Sequence, residues 1–353
     1  MKRFVCFLLA AGLLAGCGLW PRGAQSDETP VSSLPAEAVL TDAAVIKEET
    51  AALIRGSQTT LWAEQFIFSD PELRDLLIER ARAGVDVHIL LDRWQAANQQ
   101  TVEILKNDNV SVQYYPAQRG QYQRVRYMVA DGTAALLYSS DWAAGAARRM
   151  AVRLDGGAAA RLARSFAADW QYTTTLSLSL PASSPADDSQ VTMSEGAALR
   201  LEVLRRIDGA NKEILVESIQ ISQEDTLNAL IAARERGCVV RALLNPDVVT
   251  ATPNSLERLL AAGVEVRLYQ GGGEDTPEIM DYTFAVFDEK TLLFAASAWS
   301  HATFVINHET LATIPAPACA EKMRSVFALD WENAASLQDP SIQAIMDPGT
   351  GQQ

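Results

Sequence analysis

The sequence predicts a duplicated α/β fold, in which two sheet-and-helix units pack about a pseudo-twofold axis. Three observations lead there. First, the chain repeats itself: "ARAGVDVHILLDRW" (81–94) is echoed by "ARERGCVVRALLNPD" (233–247), and "LWAEQF" (61–66) by "ILVESI" (214–219), with Gly84 to Gly237 and Glu64 to Glu217 each an offset of 153 residues. Second, amphipathic helical stretches alternate with short apolar runs of strand length, the order of a layered α/β unit. Third, each copy carries a hairpin followed by a closing helix. "RVRYMVADG" (124–132) runs into "TAALLYSSDW", and "DYTFAVFDE" (281–289) into "TLLFAASAW"; the closing helices end in "FAADW" (166–170) and "FALDW" (327–331).

Each element has a local reason. In the first copy a helix is predicted near 41–55 and a strand near 59–68. A helix at 70–83 ends at Gly84, a residue suited to the left-handed position that closes helices, and a strand follows at 85–91. A helix at 97–107 precedes a strand at 110–115. The hairpin comes next, with Asp131-Gly132 as a turn of the kind that requires positive φ, then a strand near 149–154 and the closing helix. The divisions that follow are 1–16 leader, 17–40 tether, 41–172 first repeat, 173–190 linker, 191–335 second repeat and 336–353 tail. The linker is rich in Ser, Thr and Pro.

"MKRFVCFLLAAGLLAG" places two positive charges before an apolar run too short to span a bilayer, the pattern of an export signal. "LLAGC" (13–17) resembles the lipobox of bacterial lipoproteins, in which the chain is cut before the Cys and its sulfur acylated. The resemblance implies lipidation at Cys17 and attachment to an envelope membrane, the outer one if the cell has two. The 353-residue chain carries a formal net charge of -14, which becomes -16 when Lys2 and Arg3 leave with the signal. So acidic a body is a poor polyanion binder, and nucleic acid is not an expected partner. The two cysteines left over, Cys238 and Cys319, are compatible with one disulfide or with two buried thiols.

The hairpins, the "RAGVDVHILLD" and "LAAGVEVRLY" strands and the closing "FxxDW" helices together resemble the phospholipase D superfamily, most closely its two-repeat, cardiolipin-synthase-like bacterial members. The resemblance runs from about residue 41 to 335 and implies a phosphodiester chemistry built on His-x-Lys-x4-Asp, supplied once by each half. One His attacks phosphorus, the other protonates the leaving alkoxide, and the Lys pair with a later Asn holds the phosphoryl oxygens.

Position by position, this chain departs from that motif. The first copy has Arg124, Arg126 and Asp131; the second has Asp281, Thr283 and Asp288. The Asn positions hold Asp141 and Ala298. An arginine offers no lone pair for attack and is a poor proton donor. Each lost general acid or base removes roughly 100- to 10,000-fold in rate. The expectation is therefore a lipid-anchored member without catalysis, acting by binding an envelope protein or an anionic phospholipid headgroup. The alternative is a phosphodiesterase or phosphatidyltransferase in which the Asp281 carboxylate attacks phosphorus.

Other residues are read as follows. Asp131 and Asp288 belong to hairpin turns, and Trp142, Trp170, Trp299 and Trp331 to the core. His88 is a strand residue; His301 and His308 are structural or loop residues, with His308 and Glu309 near the rim of the family's cleft as the alternative. Arg124 and Arg126, two apart on one strand, share a face. They would bind an anion together, or pair internally with an acid such as Asp281, the reading preferred. "GGG" (271–273) lacks the context of a phosphate loop. No Cys/His cluster has zinc-like spacing, so neither metal nor cofactor is expected.

Overall fold

The computed structural model describes residues 31–143, 147–186, 189–271, 279–280, 282–295 and 297–338. The leader, Cys17 and Asp281 lie outside the described residues, as do Gly272 and Gly273.

The first sheet is built from β1 (Val39–Leu40), β2 (Thr60–Gln65), β3 (Asp86–Asp92), β4 (Ser111–Tyr115), β5 (Tyr127–Ala130), β6 (Ala134–Tyr138) and β8 (Ala151–Asp155), while β7 (Ala147–Arg148) lies apart from it. Helices α1 (Ala43–Gly56), α2 (Pro71–Arg82), α3 (Asn98–Asn107) and α4 (Gly157–Thr174) connect and cover it. The strand order is β1-β8-β6-β5-β2-β3-β4, parallel across β2-β3-β4 and antiparallel elsewhere.

The second half repeats this plan with β9 (Thr192–Glu195), β10 (Glu213–Ser218), β11 (Val239–Leu244), β12 (Glu265–Leu268), β14 (Thr283–Phe287), β15 (Thr291–Ala295), β16 (Thr310–Ile314) and β17 (Ala335–Ser336). Its order, β9-β16-β15-β14-β10-β11-β12, is that of the first half, and β17 adds an edge. The short β13 (Ile279–Met280) pairs with β7 of the other half. Its helices are α5 (Ala197–Gly209), α6 (Glu224–Glu235), α7 (Val248–Ala251), α8 (Pro253–Ala261) and α9 (Pro317–Asn333).

Element ends follow the local chemistry. Asp42 accepts the Val45 N–H at 2.9 Å to start α1, and Asp70 accepts from Glu72 and Leu73 ahead of Pro71 to start α2. Gly84 and Gly237 take φ of 93° and 96° just past α2 and α6, as the sequence predicted. The chain joins the fold earlier than the expected tether end at residue 40. Residues Ala36–Ala38 form a 3₁₀ turn against α9, and β1 completes the first sheet as β9 completes the second.

Both hairpins turn where expected, with positive φ at Asp131 and Gly132 and at Asp288 and Glu289. The two aspartates do the same structural work. Asp131 accepts the backbone N–H groups of Gln58, Thr59 and Thr60 and the Thr59 hydroxyl; Asp288 accepts those of Asn211, Lys212 and Glu213. Burial pushes the Asp131 carboxyl up, but these donors outweigh it and hold it below its ordinary range. A depressed carboxyl stabilises above its unfolded pKa of about 3.9, and that stability is lost as pH falls through the lower folded value. Asp131→Ala should therefore cost about 2 kcal/mol at pH 7 and much less near pH 3. Urea unfolding at both pH values checks this; equal losses would contradict it.

One apolar cluster is shared by the two halves. Trp62, Phe166 and Trp170 from the first meet Leu215, Phe284 and Phe327 from the second within it. Separate clusters lie under the outer helices of each half. Trp142, Trp170 and Trp299 are buried as expected, whereas Trp331 is only partly so and carries the guanidinium of Arg267 over its ring at 4.9 Å. Cys238 and Cys319 are both free and buried; Cys238 lies under the second half's helices and Cys319 in the shared cluster, so of the two expectations the thiols hold.

Candidate functional site

The segment leading into the first hairpin crosses to the other half. The Arg124 N–H donates to the His308 carbonyl at 2.8 Å, and the His308 N–H donates to the Tyr122 carbonyl at 2.9 Å. The reciprocal contact, β7 on β13, joins the halves again at the equivalent place, as a pseudo-twofold arrangement requires. In this extended segment alternate side chains face opposite ways. Gln123, Val125 and Tyr127 turn toward the shared core, and Arg124 and Arg126 away from it.

Arg124 and Arg126 precede β5 rather than lying within it, yet they share a face. Their guanidinium carbons stand 4.6 and 5.4 Å from the centre of the Phe66 ring. Arg126 is 1 % exposed, and its Nε donates to Asp141 Oδ1 at 2.6 Å. The acid that meets Arg126 there comes from the strand-end that follows its own hairpin; the expected acid, Asp281, lies outside the described residues. Glu309 is buried with them and accepts from the Asn307 amide at 3.2 Å. Burial raises its carboxyl above the ordinary range, against the pull of Arg124 and Arg126. In the second half Thr283 is fully buried, its hydroxyl 2.8 Å from that of Ser218. Asp131 and Asp288 sit at the turns, held by backbone donors.

A second cluster lies on the opposite side of the crossing. His308 Nε2 is 3.0 Å from Asp169 Oδ2 on α4, and its ring stacks on Tyr115 at 4.5 Å with planes 3° apart. Glu64 on β2 is fully buried beside them and accepts from Tyr127 and from the Gln123 amide, both at 2.9 Å. Donor atoms of Glu64, Asp169 and His308 lie within 4.8 Å of one another. Burial works against charge on the imidazole. The hydrogen bond to Asp169, and the charges of Asp169, Glu64 and Glu195, outweigh it and hold His308 at about 9. Desolvation, with the nearby Asp169 charge, pushes Glu64 well above its ordinary range.

His308 is therefore neither a plain loop residue nor part of the arginine site; only its neighbour Glu309 borders that. His88 is a strand residue hydrogen-bonded to Asp86, and His301 is exposed. Sequence reasoning missed Glu64, Asp169, Tyr115 and Tyr127. The signal for two of them was present, because Glu64 and Asp169 recur in the second copy as Glu217 and Asp330, both buried.

A family model described as "Cardiolipin synthase, PLD-like domain" matches residues 51–170 and 203–331. Among solved structures, phosphatidylserine synthase from Haemophilus influenzae Rd KW20 is similar at 14% identity and a TM-score of 0.58, covering 86% of this chain and 87% of that one. Polyphosphate kinase from Porphyromonas gingivalis is similar at 11% identity and a TM-score of 0.61, covering 87% of this chain and 51% of that one, so this chain spans about half its length. At these identities the likeness is one of fold. A comparison with curated proteins gives no match. With two mixed sheets of identical strand order, two crossings between them and a family match over most of both repeats, the chain belongs to the phospholipase D-like family that includes the cardiolipin synthases.

Proposed function

We propose that this chain is a phospholipase D-like protein without phosphodiester chemistry, tethered to an envelope membrane through an acylated Cys17 and acting by binding. The observation that carries this reading is the contact of Asp141 with Arg126. At positions where the family resemblance implies a Lys and an Asn around a phosphoryl group, an internal carboxylate lies 2.6 Å from a buried guanidinium. A carboxylate there occupies the cation that a phosphate would need and repels the phosphate itself. The His308 imidazole faces away from that side, toward Asp169 and Tyr115.

The binding reading has two arms, an anionic headgroup or an envelope protein. Arg124 is the residue that separates them, being partly exposed above Phe66. Full-length chain with Cys17→Ser, which removes the acyl anchor, should sediment with vesicles containing phosphatidylglycerol or cardiolipin more than with phosphatidylcholine vesicles. Arg124→Ala should abolish the difference. Equal, weak sedimentation with all three would remove the headgroup arm and leave the protein partner.

A second reading, an active phosphatidyltransferase or phosphodiesterase, is favoured by kinship with cardiolipin synthases and by the carboxylate at position 281. Carboxylates do attack phosphorus in other enzymes. That route needs an acid for the leaving group and cationic clamps on the phosphoryl oxygens, where this chain has Arg124 and the neutral, hydrogen-bonded Thr283.

A further inference from the structure

We propose that Glu64, Asp169 and His308 form a binding site for a divalent transition cation, with zinc the best match, that joins the two halves. This goes beyond the functional reading above and does not depend on it, because the cluster lies across the crossing segment from Arg124 and Arg126. One imidazole and two carboxylates are a borderline donor set that suits zinc better than magnesium or calcium, which take oxygen ligands. The donors come from both halves: Glu64 and Asp169 from the first and His308 from the second. They already lie within 4.8 Å of one another. A cation about 2.1 Å from each would draw them to about 3.4 Å apart, an adjustment within reach of small side-chain rotations.

The surroundings are those of a built site. Tyr127 and Gln123 hold the two oxygens of Glu64, and Tyr115 fixes the plane of the His308 ring. Gln123 is fully buried, and while its amide nitrogen donates to Glu64, its Oε1 has no hydrogen-bond partner among the described residues. That buried amide oxygen, on a side chain already bonded to Glu64, is a candidate further ligand. The lining is acidic as well, for Glu195 lies near the Asp169 carboxylate and the single imidazole. The His308 and Asp169 side chains are 13% and 14% exposed, so the cluster can be reached from solvent.

The test uses the full-length chain without a histidine tag, stripped with chelator and titrated with Zn²⁺, with Mg²⁺ as the hard-cation comparison. Calorimetry should show one Zn²⁺ per chain, a raised melting temperature and no comparable effect of Mg²⁺. His308→Ala should weaken Zn²⁺ binding at least about 100-fold, and Tyr127→Phe about 10- to 100-fold. His301→Ala, which removes an exposed imidazole, should leave binding unchanged. Glu64→Gln keeps the side-chain shape and serves if His308→Ala fails to fold; it too should weaken binding at least about 100-fold. No Zn²⁺ binding by the folded wild type, or binding that survives His308→Ala and Glu64→Gln, would overturn the proposal.

Discussion

Asp141→Ala should destabilise the chain by about 3–5 kcal/mol, the usual cost of breaking a buried ion pair by removing one partner. Arg126 has a fully buried side chain, and Asp141 is 15% exposed, so little water can replace the lost carboxylate. Asp141 also accepts the Ile67 N–H at 3.3 Å, which ties the end of the first hairpin to the strand-end beside Phe66. Asp141→Asn should cost less, because an amide oxygen can still accept from the guanidinium. The pair itself need not be stabilising: replacing both partners, as in Arg126→Met with Asp141→Leu, should recover much of the loss. Urea unfolding of the four proteins checks this. A loss below about 1 kcal/mol for Asp141→Ala would show that the contact does not hold the site closed.

Phe166→Ala should cost a similar amount, about 3–5 kcal/mol, and act on both halves at once. Phe166 is fully buried and stacks between Trp62 at 5.5 Å and Trp170 at 5.9 Å, in the cluster the halves share. Truncating it leaves a cavity walled by rigid rings, which collapse poorly. Its counterpart Phe327 stacks on Trp331 at 5.4 Å, but that ring is partly exposed and can move into the gap. Phe327→Ala should therefore cost less. Equal effects would mean that the shared core does not distinguish the two closing helices.

What was legible in the sequence was local or repeated. The hairpin turns followed from Asp131-Gly132 and its echo, the end of the helix at 70–83 from Gly84, and the paired units from fixed offsets between "LWAEQF" and "ILVESI". Contacts made across the fold were not legible. Asp169 and His308 are 139 residues apart, and no spacing rule links an acid on a closing helix to an imidazole in the other half. The partner of Arg126 was missed for the opposite reason. Pseudo-symmetry drew attention to Asp281, across the chain, while Asp141, only 15 positions on, was read as a lost Asn rather than as a new ligand. The acids at 64 and 169 were quoted within repeated motifs, yet buried acids in strands and helices look like ordinary polar positions until their neighbours are known.

With its motif site filled from within, the chain should perform no phosphodiester chemistry. The most direct test offers the folded chain phosphatidylglycerol, cardiolipin and a chromogenic phosphodiester, beside Asp281→Ala and Arg124→Ala. The wild type should show no turnover above that of either variant. Turnover that Asp281→Ala abolishes would contradict it and assign the carboxylate at 281 as the attacking group.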